Sequence, residues 1–293
     1  MSFHRRVMMI TLFCIAFLGR TVTVFSDEPS ATKSKRTSPF FAFDNGTGRG
    51  QLPPRQQAEM LREFGYDGIG YTGAQGIPEM LEALDAKKLK MFSIYVAANV
   101  GTDGPSYDAN LKQAIKELDG RETCIWLTLR GGKPSTDEYD DQAVAVVREI
   151  AAAAAESGLR VVLYPHVGFY VARLEDGLRI AEKVDRENVG TAFNLCHFLK
   201  LDDASKLEAA LQRAMPHLFL VSINGADQGD TKRMGWDRLI QALDRGDFPM
   251  DELLKTLKRL GYDGPIGLQC YAVKGDIRDN LRRSMVAWRK LTE

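Results

Sequence analysis

From Pro39 onward the chain alternates between two hydrophobic rhythms. Compact runs rich in Val, Ile, Phe and Tyr occur at FFAFD (40–44), GIGYTG (68–73), KMFSIYVAAN (90–99), CIWLTLRGG (124–132), RVVLYPHVG (160–168), VGTAFNLCHF (189–198), LFLVSIN (218–224) and PIGLQCYA (265–272). They read as buried strands. Between them, segments such as RQQAEMLREFG, DDQAVAVVREIAAAAAESG and MDELLKTLKRLG space their apolar residues three and four apart, the signature of amphipathic helices. Regular strand–helix alternation demands a parallel sheet covered by helices. Eight units between 39 and 293 predict a closed (β/α)8 TIM barrel, a single α/β domain. A doubly wound open sheet is the alternative, and no Gly-x-Gly-x-x-Gly follows any of these strands. The pair FGYDGIG (64–70) and LGYDGPIG (260–267) repeats one device, a helix stopped at Gly before entry into a strand.

The N-terminus breaks the pattern. His4, Arg5 and Arg6 precede an apolar run from Val7 to Leu18, with Val24 and Ser26 at a plausible cleavage spacing. The run is shorter than the about 20 residues needed to cross a bilayer and reads as a signal peptide over 1–26, with an uncleaved anchor as the alternative. Residues 27–38 read as a flexible leader. The chain is therefore expected to be exported, periplasmic or secreted, with no membrane span after signal removal. Of 39 basic and 39 acidic residues the signal takes three arginines and no acid, leaving a slightly acidic chain without a basic tract. That speaks against nucleic acid as a partner. Cys124, Cys196 and Cys270 lie in apolar runs and read as buried free thiols rather than a disulfide framework.

In such a barrel chemistry sits at the C-terminal ends of the strands, and polar residues gather there. Asp44 closes the first strand, Tyr95 and Asn99 the third, and Arg130 the fourth. Tyr164 and His166 share one side of the fifth, and Asn194 and Cys196 of the sixth, with His197 just beyond. Ser222 and Asn224 end the seventh, Gln269 and Tyr271 the eighth. His166 and His197, on neighbouring strands at one mouth, are the candidate acid–base pair. His217 precedes the seventh strand, on the opposite face. The Gly-rich DNGTGRG (44–50) reads as a plain loop, since it lacks the Lys and Ser/Thr of a P-loop. The long excursion 226–248 carries Trp236, which reads either as a lid or sugar-stacking wall or as ordinary helix packing.

The order of elements, with LYPH on the fifth strand, FNLCH on the sixth, VSINGAD on the seventh and GDFPMDELLKTLKRLGYDGPIGLQCY at the eighth, resembles the xylose isomerase-like barrel superfamily over about 39–290. That group holds sugar isomerases, epimerases and endonuclease IV-type enzymes. The resemblance implies one divalent metal held by Glu, Asp, His and Glu on strands five to eight. Here those positions carry Tyr164, Asn194, Ser222 and Gln269, none of them a strong donor to a divalent ion.

Three readings follow. The first is a sugar isomerase or epimerase acting on a free or glycosidic sugar at the barrel mouth, with His166 and His197 as catalytic residues. Arg130, Tyr164, Asn194, Ser222, Asn224, Gln269 and Trp236 would bind substrate. The second relocates a divalent metal (Mn, Mg or Zn) to His166, His197 and an acid such as Asp227. The third is a non-catalytic carbohydrate-binding barrel that has lost the metal site. Assembly into a homo-oligomer stays open.

Overall fold

The inward side chains of the barrel form an aromatic column, and the column explains the sheet around it. In a computed structural model describing residues 38–104 and 106–293, the eight strands are β1 (Phe40–Phe43), β2 (Gly68–Thr72), β3 (Lys90–Asn99), β4 (Cys124–Arg130), β5 (Arg160–Leu163), β6 (Val189–Asn194), β7 (Leu218–Ile223) and β8 (Ile266–Leu268). All pair in parallel in sequence order, and β8 closes onto β1. Phe41 stacks on Phe92 at 4.8 Å, Phe43 on Trp126 at 4.5 Å, and Trp126 on Tyr164 at 3.8 Å. Room for these rings comes from Gly70 on β2 and Gly267 on β8, where a Cβ would stand 2.4 Å and 2.6 Å from the Phe43 and Phe41 rings.

The second, larger core lies between the barrel and its helices. These are α1 (Pro54–Phe64), α2 (Ile77–Asp85), α3 (Leu111–Glu117), α4 (Asp140–Glu156), α5 (Leu174–Val184), α6 (Leu195–Leu201), α7 (Leu207–Ala214), α8 (Trp236–Leu239), α9 (Met250–Arg259) and α10 (Ile277–Thr292). The repeated GYDG device is an αL stop in both places. Gly65 and Gly261 take φ of 91° and 86°, and the next N–H reaches back to Leu61 and Leu257 respectively.

Three elements differ from the sequence reading. β5 ends at Leu163 because Pro165 has no N–H to give the ladder, so Tyr164 and His166 sit on an irregular exit rather than on one face of a strand. The run FNLCHF is not all strand: β6 stops at Asn194, whose side-chain oxygen accepts the His197 N–H at 3.3 Å and caps α6. Cys196 and His197 therefore belong to a helix. β8 is only three residues long, placing Gln269 and Tyr271 beyond its end. Among the described residues no helix is long and apolar enough to cross a membrane. The expected signal and nearly all of the leader lie outside the described residues.

Candidate functional site

A cavity of about 520 Å³ opens at the C-terminal ends of the strands. Its floor is the top of the aromatic column, Trp126 and Tyr164, and its wall includes Tyr95, Trp236 and Tyr271. The Trp126 Nε1–H is buried without a partner among the described residues, a donor suited to an oxygen-rich ligand.

His166 and His197 meet here with ring centroids 4.1 Å apart. His166 stacks on Phe169 at 4.2 Å, and its Nδ1 lies 2.9 Å from the Val167 carbonyl. A carbonyl only accepts, so Nδ1 carries the proton and Nε2 keeps its lone pair. Burial, with help from the positive Arg130, holds the His166 pKa below its ordinary value. At neutral pH it is an unprotonated base. His197 is more constrained: burial and the neighbouring His166 push its pKa far down. Its Nδ1 faces the Val167 N–H at 3.5 Å, so the neutral ring donates from Nε2 to the Tyr164 hydroxyl at 3.0 Å. The sequence pairs the two as acid and base; the geometry leaves only His166 with an uncommitted nitrogen.

Asn194 organises what lies beneath. Its amide nitrogen donates to the Tyr164 hydroxyl at 3.1 Å and to Ser222 Oγ at 3.2 Å. Its oxygen accepts from the His197 N–H and from the Cys196 thiol at 3.0 Å. Every donor and acceptor of the amide is thus used, and an aspartate could supply only half of them. The Gln269 oxygen is likewise consumed: it accepts from Asn45 Nδ2 at 2.5 Å and from the Cys270 and Tyr271 N–H groups at 3.0 Å. Tyr164, Asn194, Ser222 and Gln269 are neutral and turned toward one another and their neighbours, so they do not fit a divalent cation. No group of three His, Cys, Asp or Glu side chains among the described residues forms a metal cluster. Asp227, the acid suggested for a relocated site, is not among the cavity-lining residues and is held by Arg238 Nε at 2.7 Å and Gln241 Nε2 at 2.8 Å.

The first-strand loop supplies the polar wall opposite. Asp44 accepts the Thr72 N–H at 2.7 Å and the Thr72 hydroxyl at 2.8 Å, and pairs with Arg49 at 3.1 Å. Burial raises its pKa against these partners. The buried Gln57 of α1 pins the loop through the Thr47 hydroxyl. DNGTGRG is therefore a built part of the site rather than a plain loop.

Of the expected site residues, Tyr164, His166, His197, Gln269 and Trp236 line the cavity together. Asn194 and Ser222 lie under it and act through Tyr164. Arg130 stands beside it, its Nη2 donating to the Tyr95 hydroxyl at 3.0 Å and its guanidinium 4.9 Å over Phe169. Asn224 does not belong to the site: its amide nitrogen donates to the Gly225 and Leu239 carbonyls and anchors the excursion after β7. That anchoring holds Trp236 edge-on to His197 at 5.4 Å. Asn45, Arg49, Thr72 and Trp126 are the residues the sequence reading missed. For Trp126 the signal was inward parity on a central strand; for the loop there was none beyond its place after β1.

A profile of the xylose isomerase-like TIM barrel matches residues 58–291. The chain belongs to that family. Among solved structures, this xylose isomerase-like barrel is similar to a D-allulose 3-epimerase from Methylomonas sp. at 16% identity and TM-score 0.70, covering 88% of this chain and 99% of the other. A 3-keto-D-glucoside 4-epimerase from E. coli matches at 14% identity and TM-score 0.67, over 87% and 99%. An IOLI protein carrying a zinc atom matches at 16% identity and TM-score 0.65, over 87% and 96%. At these identities the likeness is one of fold. No curated protein sequence matches the chain.

Proposed function

We propose that the barrel mouth binds a free or glycosidic sugar, or a sugar derivative, and moves a proton between adjacent carbons as a sugar isomerase or epimerase does. The observation that carries this reading is His166, an unprotonated base whose Nε2 is uncommitted, set in the wall of a cavity with aromatic faces and amide groups. Aromatic rings cover the apolar faces of a sugar, and the Gln269 amide nitrogen and the unpartnered Trp126 N–H meet its hydroxyls. The epimerase neighbours support the class of ligand and leave the particular sugar open. Export, expected from the N-terminal segment, would present unphosphorylated sugars; recovery of an exported chain beginning near Asp27 checks it.

Incubation of unphosphorylated glucose, fructose, xylose, xylulose and allulose in deuterated water tests the chemistry. Enzyme-dependent exchange of a carbon-bound proton next to the carbonyl, lost by at least about 100-fold in His166→Gln, is the expected result. A second reading, a carbohydrate-binding barrel without turnover, is favoured by the neutral residues at all four family ligand positions. Binding of these sugars with no exchange in the wild type would establish it.

A further inference from the structure

We propose that Tyr164 is a catalytic residue, whose hydroxyl proton serves the substrate carbonyl in the role that a divalent metal fills elsewhere in the family. This rests on the proton-transfer reading above.

Hydrogen-bond accounting carries the inference. The phenolic oxygen faces Asn194 Nδ2, which can only donate, at 3.1 Å, and His197 Nε2 at 3.0 Å. The Val167 N–H occupies His197 Nδ1, which fixes Nε2 as the protonated nitrogen. No described residue accepts the Tyr164 proton. Tyr164 is one of the residues lining the cavity, and with donors on its other sides the proton is assigned to the ligand side. The rigid stack on Trp126 at 3.8 Å fixes the ring. Burial holds the pKa well above 10 and keeps the resting group a phenol.

The chemistry balances on a sugar with a carbonyl beside a hydroxyl-bearing carbon. His166 Nε2 takes the proton from that carbon, and the C–H pair becomes the C=C bond. The carbonyl π pair moves onto oxygen, which takes the Tyr164 proton and gives an enediol. The phenolate left behind is met by the N–H groups of Asn194 and His197, the donors an oxyanion needs. It then removes the proton of the neighbouring hydroxyl, whose oxygen forms the new carbonyl. The C=C pair takes the proton from the His166 imidazolium at the former carbonyl carbon. Both residues end as they began.

The test uses the full chain and the exchange assay above. Tyr164→Phe is expected to lose at least about 100-fold in exchange rate while sugar affinity changes by less than about threefold, as removal of an acid–base group does. Chelator pretreatment or added manganese or zinc leaves the wild-type rate unchanged. A rate that survives Tyr164→Phe, or one that chelator abolishes and metal restores, overturns the proposal while His166 dependence keeps the functional reading intact. A wild type that binds sugar without exchange overturns both. If Tyr164→Phe fails to fold, 3-fluorotyrosine at 164 keeps the hydroxyl and the packing while making the proton more acidic. The alkaline limb of the pH–rate profile then moves to lower pH, and an unmoved profile overturns the proposal.

Discussion

Replacing Asn194 with aspartate restores the acid that the family resemblance places on the sixth strand, and the structure says it should weaken this protein. Asn194 is 3% exposed. Its partners are two hydroxyls, a thiol and a backbone N–H, none of them a cation. Asn194→Asp keeps the cap on α6 but exchanges the donating NH2 for an oxygen facing Tyr164 and Ser222. Both hydroxyls must then turn inward, and the new carboxylate has no charge to pair with. A fully buried carboxyl rises by about three pH units, at about 1.4 kcal/mol each, so the cost at pH 8 is about 4 kcal/mol. In a domain of this size that lowers Tm by about 10 °C. The sign follows from linkage. The unfolded aspartate ionises near 3.9 and the folded one well above it, so between these values the fold holds a proton that the unfolded chain releases. Stability is therefore lost as pH rises through that window, and the penalty is complete above the folded pKa. Thermal melts of wild type and variant at pH 5 and pH 8 measure it. A variant melting within about 2 °C of wild type at pH 8, or one equally destabilised at both pH values, would refute the reasoning.

The lowered pKa of His166, from burial and Arg130, places the acid limb of kcat/KM below the ordinary histidine value of about 6.5, with a plateau above it; a limb at higher pH would mean another base. The same depression at His166 and His197 makes the fold acid-sensitive. The unfolded chain protonates first, so stability falls as pH drops below about 6.5 toward the folded values, measured as Tm from pH 7 to pH 5. Gly46→Ala would bring a Cβ to 2.5 Å from Cys270 Cβ and Sγ, costing about 1–3 kcal/mol in a denaturant titration and moving Asn45 away from Gln269. Trp236→Ala removes a side chain that is 36% exposed. It should leave Tm within about 2 °C while weakening sugar binding by about three- to tenfold in calorimetry, the loss of one aromatic contact.

The alternation of hydrophobic periods was enough to give eight strands, parallel pairing and closure, because each βα unit has to bury one strand face inward and the other under a helix. The family was legible in the same way, through the order of LYPH, FNLCH and the final strand's approach. The neutral character of Tyr164, Asn194, Ser222 and Gln269 was also readable, and with it the poor fit to a metal. What those residues do instead was decided only by tertiary structure. Whether Asn194 faces an ion or two hydroxyls depends on side chains from β7 and the β5 exit, 28 and 30 residues away in sequence. His166 and His197 carry the same chemistry in the sequence, and a single backbone carbonyl and a single N–H, both of Val167, separate them into a base and a positioning donor. The loop of Asp44, Asn45 and Arg49 became part of the site only when closure of β8 on β1 brought Gln269 to Asn45 across 224 residues. Local pattern fixes which face of each element is buried, whereas the direction of a hydrogen bond is set by whichever distant group arrives to complete it.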